Sequence, residues 1–265
     1  MSNASVSLGA MPGSIQSIER ATAILRLLAA GPGRLGVGEV ASSLGLAKGT
    51  AHGILRTLEQ VGFVEQDRAS TKYQLGAALL HLGTSYLDAN ELRSRAINWA
   101  DALAARSGQA VRIGTLLEGL VLVVHHVFRP DDTPQAVEVG ALLPPYACAL
   151  GKVLLAYDAG AAAAAGADVL EPFTRRTVGT PKALAASLAA VRAVGWAQEV
   201  EELTVGEAGI AAPIRHRGGL VVGSIGVSGP VERICDAAGR PRPALITQVR
   251  DAAWAISREL AEGRR

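Results

Sequence analysis

The sequence predicts a two-domain α+β protein, with a small helical N-terminal domain and a larger domain in which helices flank an antiparallel sheet. Two observations carry this prediction. Apolar residues recur every three or four positions over the first third of the chain, the spacing of amphipathic helices. After Gly108 the pattern changes to short β-rich runs separated by turn residues, and helical spacing returns towards the C-terminus. A chain of 265 residues is long enough for two hydrophobic cores.

Composition narrows the class of protein. The two cysteines, Cys148 and Cys235, are far apart and form no CxxC, which argues against a disulfide framework or a zinc site. No apolar run is long enough to span a bilayer, and the first residues lack the pattern of a secretory signal. No phosphate-binding or dinucleotide fingerprint occurs. We therefore expect a cytoplasmic protein with no membrane contact, metal or cofactor.

The N-terminal pattern is typical of a winged helix-turn-helix. A supporting first helix is predicted from one apolar stripe, formed by Ile18, Ala21, Leu25 and Leu28. The next stretch predicts a short helix, a turn at Gly45, a second helix and a strand that begins at Phe63. A second strand, Tyr73-Gln-Leu, completes a two-stranded wing. In this fold the second helix of the motif lies in the DNA major groove.

Side chains on that second helix and on the wing are the candidate DNA contacts. The helix offers Lys48, Thr50, His52 and Arg56, and the polar tip of the wing offers Arg68 and Lys72. Helix residues of this kind meet base edges, whereas wing cations reach phosphates or the minor groove. The alternatives remain open that Thr50 caps or packs locally, that Arg56 is an ordinary surface charge, and that the wing tip is a solvated turn.

We place the domain boundaries from these patterns and from the helices that follow. A flexible lead covers residues 1–14, the winged helix-turn-helix domain 15–76, a linker helix 77–92, and the second domain 93–265. The linker stripe is formed by Leu79, Leu82, Tyr86 and Leu87, and it could pack on its own domain or on a second subunit. A further helix is predicted from Leu92, Ala96, Trp99, Ala100 and Leu103 and stops at Ser107-Gly108.

The elements of the second domain follow in order. Strands are predicted over 110–116, 120–128 and 136–139, and helices over 149–157 and 183–194. The alanine-rich run 159–167 is a loop or a frayed helix. A second hairpin joins 210–215 to 220–228 through a turn at 216–219. The last helix has its apolar face at Leu245, Val249, Ala252, Ile256 and Leu260.

The order and spacing of several motifs resemble the IclR family of bacterial transcription regulators. The motifs are SIERATAILRLLA, EVASSLGLAKGTAHGILRTLEQVGFVEQD, YQLG, PPYACALGKVLLA, VRAVGWAQEVEEL, GIAAPI and SIGVSGP. The resemblance implies a winged helix domain, a linker helix, a C-terminal effector-binding domain similar to GAF domains, and homodimers or homotetramers on palindromic operator DNA. The family usually has Ser-Thr at Gly49-Thr50 and Arg at Gly53, so base-specific contacts here are expected to be sparse.

The same resemblance implies a pocket for a small-molecule effector in the second domain. Matched by motif, its lining residues are Ala149, Leu150, Gly151, Glu199, Gly209, Gly226 and Ser228. The backbone N–H groups around Leu150 and Gly151 open a predicted helix, which independently favours an anion, so we expect a carboxylate or other acidic metabolite. A helix start without a ligand, and an exposed loop position for Glu199, are the alternatives.

Departures from the family shape the expected cavity. Several members carry Asp, Cys and Ser where this chain has Glu199, Gly209 and Gly226. Because two glycines remove side-chain volume, the resemblance implies a wider and less polar cavity and a larger ligand than a two-carbon oxo acid.

Two other functions compete with a DNA-binding regulator. A small-molecule enzyme with an attached helix-turn-helix would use Cys148 as nucleophile and His125 or His126 as base, although only one of two adjacent strand residues can face a site. An effector-free architectural dimer is the third possibility. The residues do not distinguish a repressor from an activator.

Overall fold

A computed structural model describes residues 15–30, 33–67, 69–79, 82, 91–131, 133–167 and 169–262. The chain divides between Leu87 and Asp88 into two compact units. This division falls inside 77–92, the predicted linker helix, of which 77–79, Leu82 and 91–92 are described and helical. The rest of that prediction lies outside the described residues. Among the described helices, none is long and apolar enough to cross a membrane.

The part of the first unit before the linker region 77–92 has, in the described residues, three helices and a two-stranded antiparallel wing. Its elements are α1 Gln16–Ala30, α2 Val37–Ser43, α3 Lys48–Gln60, β1 Val64–Gln66 and β2 Tyr73–Leu75. The turn between α2 and α3 contains Gly45 at φ +63°, a conformation that glycine adopts without steric cost. The helix-turn-helix and wing are confirmed.

The core of this unit corrects the stripe predicted for α1. Leu28 is buried as expected, but Ile18 is 60% exposed and Ile24, which the prediction left out, is fully buried. Ile24 packs in one cluster with Val40 of α2 and Leu55 of α3. The buried face of α1 is therefore centred on Ile24 and Leu28.

The second unit is built on one six-stranded antiparallel sheet. Its elements are α4 Glu91–Ser107, β3 Ala110–Leu117, β4 Leu120–Val127, β5 Leu142–Leu143, α5 Ala149–Tyr157, α6 Ala159–Ala167, α7 Pro181–Val194, β6 Ala197–Val200, β7 Glu207–Arg215, β8 Val221–Pro230, α8 Val231–Ile234 and α9 Pro243–Glu262. The strands lie in the order β5-β4-β3-β8-β7-β6. The predicted α+β fold class is confirmed.

Helices cover both faces of this sheet. Gly223 of β8 lies against Leu92 of α4, and α9 packs beside α4 and on β7. Five residues further along β8, Ser228 points to the opposite face because side chains alternate along a strand. That opposite face carries α5, which is backed by α7. A pocket between α5 and the sheet is therefore enclosed on two sides.

In this unit the structure contradicts one predicted strand, resolves the alternative left open for the alanine-rich run, and adds elements that were not predicted. The expected strand 136–139 is absent: that segment is irregular, Val137 is 72% exposed, and β4 pairs instead with β5. The alanine-rich run 159–167 is the helix α6, as the high helix propensity of alanine allows. The edge strand β6 and the short helix α8 were not predicted.

Candidate DNA-binding surface and effector cavity

Helix α3 presents a row of polar side chains to solvent. It buries Ala51, Leu55 and Leu58 on its other side. Lys48, His52 and Arg56 are exposed, and the part of the chain that the structure describes shows no hydrogen bond or ion pair to any of their side chains. Such groups are available to phosphates and base edges without first breaking an internal contact.

Two further features of α3 bear on the sequence alternatives. Its N-cap residue is Ala47, so Thr50, which is half-buried, does not cap the helix. A Cβ atom added at Gly49 or at Gly53 would meet nothing within 4 Å. No neighbouring atom is close enough to require glycine at either position. Because glycine has no side chain, nothing projects from the backbone of the helix at these two positions.

The wing tip is held in place by one carboxylate. Asp67 accepts hydrogen bonds from the N–H of Ala69 at 3.2 Å, the Ser70 hydroxyl at 2.7 Å and Nη1 of Arg34 at 3.0 Å. These contacts hold the pKa of the Asp67 carboxyl below its ordinary value, with the Ser70 hydrogen bond as the largest cause. These contacts fix the described residues of the tip, 67 and 69–72, in a turn around the Asp67 carboxylate.

The structure describes one of the two wing cations predicted to contact DNA, namely Lys72. The ammonium of Lys72 lies 3.4 Å from Oε2 of Glu39, so an acidic neighbour partly compensates its charge. The Gly36 N–H, and then Lys72, lower the pKa of that carboxyl. Arg68 lies outside the described residues. Arg34, which the sequence analysis did not single out, contacts the wing through Asp67 and Gln74.

Six of the seven residues predicted to bind an effector line a single cavity between α5 and the sheet. We call it the inner cavity. It has a volume of about 30 Å³, and its wall includes Ala149, Leu150, Glu199, Gly209, Gly226 and Ser228, together with Arg112, Leu203, Thr204 and Glu207. The seventh, Gly151, is not part of the wall.

Strand register explains why distant residues meet here. Glu199 of β6 pairs with Gly209 of β7, which pairs with Ser228 of β8. The three residues form one row across the sheet on the face that carries α5. The next row on that face contains Gly226, Arg112 and His126 in adjacent strands.

The three glycines assigned to this site play different parts. A Cβ on Gly209 would lie 3.3 Å from the backbone oxygen of Val227, 3.4 Å from Oε1 of Glu199 and 3.7 Å from the Cβ of Ala149, all residues of the cavity wall. A Cβ on Gly226 would lie 2.6 Å from the backbone oxygen of Ile210, and one on Gly151 would lie 2.3 Å from the backbone of Pro145. Only Gly209 therefore leaves cavity space. The other two glycines allow backbone segments to approach closely.

The expectation of a wide, weakly polar cavity is wrong. The volume leaves room for one or two water molecules. The side-chain volume absent from Gly226 is occupied by β7, and the wall contains a guanidinium, two carboxyls and two hydroxyls.

Glu199 is a buried carboxyl and not an exposed loop residue. It is 8% exposed on β6, and its Oε2 accepts a hydrogen bond from the N–H of Glu202 at 3.2 Å. Burial raises the pKa of Glu199 to about 7, because an ionised carboxylate loses its hydration, while the Glu202 N–H opposes this rise. At neutral pH this group can donate or accept a hydrogen bond.

A buried ion pair fastens the segment that covers the cavity. Lys152 of α5 is 2% exposed and forms an ion pair with Glu202, which follows β6. The Thr174 and Thr177 hydroxyls each donate a 2.6 Å hydrogen bond to a backbone oxygen of the same segment, at Glu201 and Glu202. Any ligand larger than the cavity must displace this segment or extend out of the cavity.

The residues of the enzyme hypothesis are poorly suited to nucleophilic catalysis. Cys148 is buried, and loss of hydration raises the pKa of its thiol to about 12, so the reactive thiolate is scarce at neutral pH. Burial also lowers the pKa of His125 and His126 below the ordinary value. Within the described ranges, no group of three or more His, Cys, Asp or Glu residues is placed to hold a metal ion.

Sequence reasoning missed Arg112, Thr204 and Glu207 in the cavity wall, and the partner of Lys152. Arg112 had one signal, because a charged residue in the otherwise apolar run AVRIGTLL needs a partner when its strand is central. The structure supplies that partner as Glu138, whose carboxylate forms an ion pair with the guanidinium.

Comparisons with known proteins match both units. The family model for the IclR helix-turn-helix domain matches residues 17–68, and the model for the C-terminal domain of the bacterial transcriptional regulator IclR matches 84–258. The chain is 56% identical over 254 residues to the glycerol operon regulatory protein of Streptomyces coelicolor, covering 96% of this chain and 100% of the relative.

Solved structures share the architecture. An IclR transcriptional regulator from Alicyclobacillus acidocaldarius superposes with a TM-score of 0.81 at 25% identity, covering 92% of this chain and 98% of that one. An IclR homolog from Microbacterium hydrocarbonoxydans, complexed with 4-hydroxybenzoate, has a TM-score of 0.78 at 21% identity over the same shares.

Proposed function

Because this chain belongs to the IclR family of bacterial transcriptional regulators, we propose that it controls a glycerol-utilisation operon and that a small effector in the inner cavity changes its affinity for operator DNA. The observation that carries the proposal is the identity with a glycerol operon regulatory protein, which runs through both units. A match confined to the helix-turn-helix would leave the regulated operon open.

DNA binding is assigned to α3 and the wing. Lys48, Thr50, His52 and Arg56 would contact the major groove, and Lys72 and Arg68 the backbone beside it. One recognition helix covers only a half-site, so the proposal includes a homodimer or homotetramer on a palindromic operator, acting in the cytoplasm. The exposed cations Lys48 and Arg56 of α3, which form no ion pair with any described residue, support this assignment.

The effector is proposed to be a short polyol or a derivative of one. Glu199 can accept or donate a hydrogen bond near neutral pH, and Ser228 and Thr204 offer hydroxyls in the same wall. Hydroxyl-rich ligands need such groups in an otherwise closed site. The ligand complex of the Microbacterium homolog supports small-molecule binding within this fold, although its ligand is aromatic.

A sensor fits the site better than an enzyme does. The buried thiol of Cys148 is a poor nucleophile at neutral pH. Allosteric control requires only that the ligand prefer one arrangement of the protein, so that binding shifts DNA affinity.

The test measures operator affinity with and without effector. We expect the full-length protein to bind DNA upstream of the glycerol operon more tightly than random DNA at physiological salt in fluorescence anisotropy. Addition of glycerol or a phosphorylated or oxidised derivative should change that affinity. Equal affinity for both DNAs, or an affinity that none of these compounds changes, would contradict the proposal.

A matched pair of variants ties the response to the inner cavity. Gly209→Ala adds a methyl group at the wall and should abolish the effector response while operator binding persists. The control is Gly166→Ala in α6, the same change at a position where the nearest other atom lies 4.0 Å away. A full response in Gly209→Ala would place the effector elsewhere.

A further inference from the structure

We propose that the effector extends from the inner cavity into a second, outer chamber, where Arg112 and Arg129 bind an oxyanion at its far end. The ligand class is then a short polyol that carries one terminal phosphate or carboxylate. This inference rests on the proposed function and names the chemistry of its effector.

The two spaces adjoin each other, and their sizes support a ligand that occupies both. The inner cavity of about 30 Å³ is too small for a metabolite alone. The outer chamber has about 180 Å³, and its polar lining consists of Arg112, His126, Arg129, Gln135, Glu138, Glu207 and Ser228. Arg112, Glu207 and Ser228 belong to the walls of both. A ligand held by Glu199 inside and passing Ser228 would therefore emerge beside the outer arginines.

The outer chamber is rich in hydrogen-bond donors. Arg112 and His126 are direct cross-strand partners on β3 and β4, and Arg129 follows β4. The side chains of Arg112 and Arg129 are only 19% and 13% exposed. His126 accepts the N–H of Glu138 on Nδ1 at 3.4 Å, which leaves its proton on Nε2 as a further donor.

Carboxylates fix the arginines without using all their donors. Glu138 forms an ion pair with Nε and Nη2 of Arg112, and Arg129 uses Nε for Asp131 and Nη2 for Thr133. Among the described residues, no hydrogen bond involves Nη1 of either arginine. Preorganised guanidinium groups with an amino group still available suit a bound oxyanion, because the ligand need not pull them out of their pairs.

Cations offset the negative charges that lie near the outer chamber. Glu138 and Asp131 are neutralised by the arginines that they hold, and Arg233 adds a second cation 2.7 Å from Asp131. Glu207 is the remaining carboxylate of the wall and is exposed, so water screens its repulsion of an anion.

Calorimetry on the full-length protein separates this inference from the proposed function. The ligands are glycerol, glycerol 3-phosphate, glycerate and inorganic phosphate, titrated into wild type, Arg129→Gln and Arg112→Gln. We expect one charged glycerol derivative to bind wild type roughly ten- to a hundredfold tighter than glycerol, and both variants to lose that preference. Which derivative binds tighter distinguishes a phosphate from a carboxylate end.

The control is Arg240→Gln, which removes the same charge from an arginine 77% exposed and paired with Asp236. It should bind every ligand as wild type does. Equal affinity for glycerol and its derivatives, a preference that persists in both variants, or inorganic phosphate binding as tightly as the derivative would overturn the inference and leave the proposed function standing. If no glycerol compound binds or changes operator affinity, both fail.

Discussion

Replacing Glu199 by glutamine should stabilise the protein at high pH and leave its stability unchanged at low pH. Glu199 is 8% exposed, and the pKa of its carboxyl is raised to about 7, from an ordinary value of 4.5, mainly by burial. Glutamine has nearly the same shape and does not ionise. Its side-chain oxygen can still accept the N–H of Glu202, which Glu199 accepts at 3.2 Å.

The sign and size follow from proton linkage. Between pH 4.5 and 7 the folded protein keeps a proton on Glu199 that the unfolded chain has lost, so the free energy of unfolding falls as pH rises through this window. A rise of about 2.5 pKa units corresponds to about 3 kcal/mol at pH 8. The glutamine variant should be more stable than wild type by up to that amount at pH 8, and by almost nothing at pH 4.

Urea unfolding followed by circular dichroism between pH 4 and 8 measures this difference. Glu232→Gln, which alters an exposed carboxylate on α8, is the matched control and should shift stability little at any pH. The prediction fails if the difference in free energy of unfolding between wild type and Glu199→Gln stays constant over this range, or if wild type is the more stable at pH 8. Either result would show that Glu199 is not a buried carboxyl with a raised pKa.

Three further outcomes are expected. Arg56→Ala should weaken operator binding by about 1 to 3 kcal/mol with little effect on random DNA. Lys72→Ala should weaken binding to all duplexes alike and reduce the slope of log affinity against log salt concentration by about one. The reverse pattern in anisotropy titrations would contradict this division. Gly53→Ala should stabilise the first unit by about 0.5 to 1 kcal/mol, because the added methyl meets nothing and removes glycine's flexibility, and an unchanged melting temperature would count against it. Gly151→Ala should destabilise the protein by about 1 to 3 kcal/mol, because its Cβ would lie 2.3 Å from the backbone of Pro145. A variant with the thermal stability of wild type would contradict this prediction.

Local patterns in the sequence predicted most elements of both units. The stripe Leu245, Val249, Ala252, Ile256 and Leu260 is buried on α9, as its spacing requires. Hairpins with glycine-containing turns were equally readable, because turn chemistry is local. The strand predicted over 136–139 is wrong, because the segment has too few apolar residues to distinguish an edge strand from a loop. In the structure Val137 faces solvent.

The candidate site could be located but not described from sequence. The motif resemblance led to residues that the fold brings into one cavity wall. Whether a glycine opens space depends on register, which places Gly209 towards Glu199 but sets Gly226 against the backbone of Ile210. The cavity volume depends on how far the segment after β6 folds over it. Long-range pairings of this kind leave no periodic signal in the chain.

The buried ion pair between Lys152 and Glu202 constrains how this regulator can diverge. Both side chains are almost fully enclosed, at 3% and 13% exposure, and they lie fifty residues apart in the sequence. Loss of either partner alone would leave an unpaired charge buried away from water and lower the free energy of unfolding by about 3 to 5 kcal/mol. An apolar pair of similar volume could replace both residues. Related regulators can therefore change their ligand by substitutions at cavity-wall positions such as Gly209. We expect Lys152 and Glu202 either to be retained together or to be replaced together.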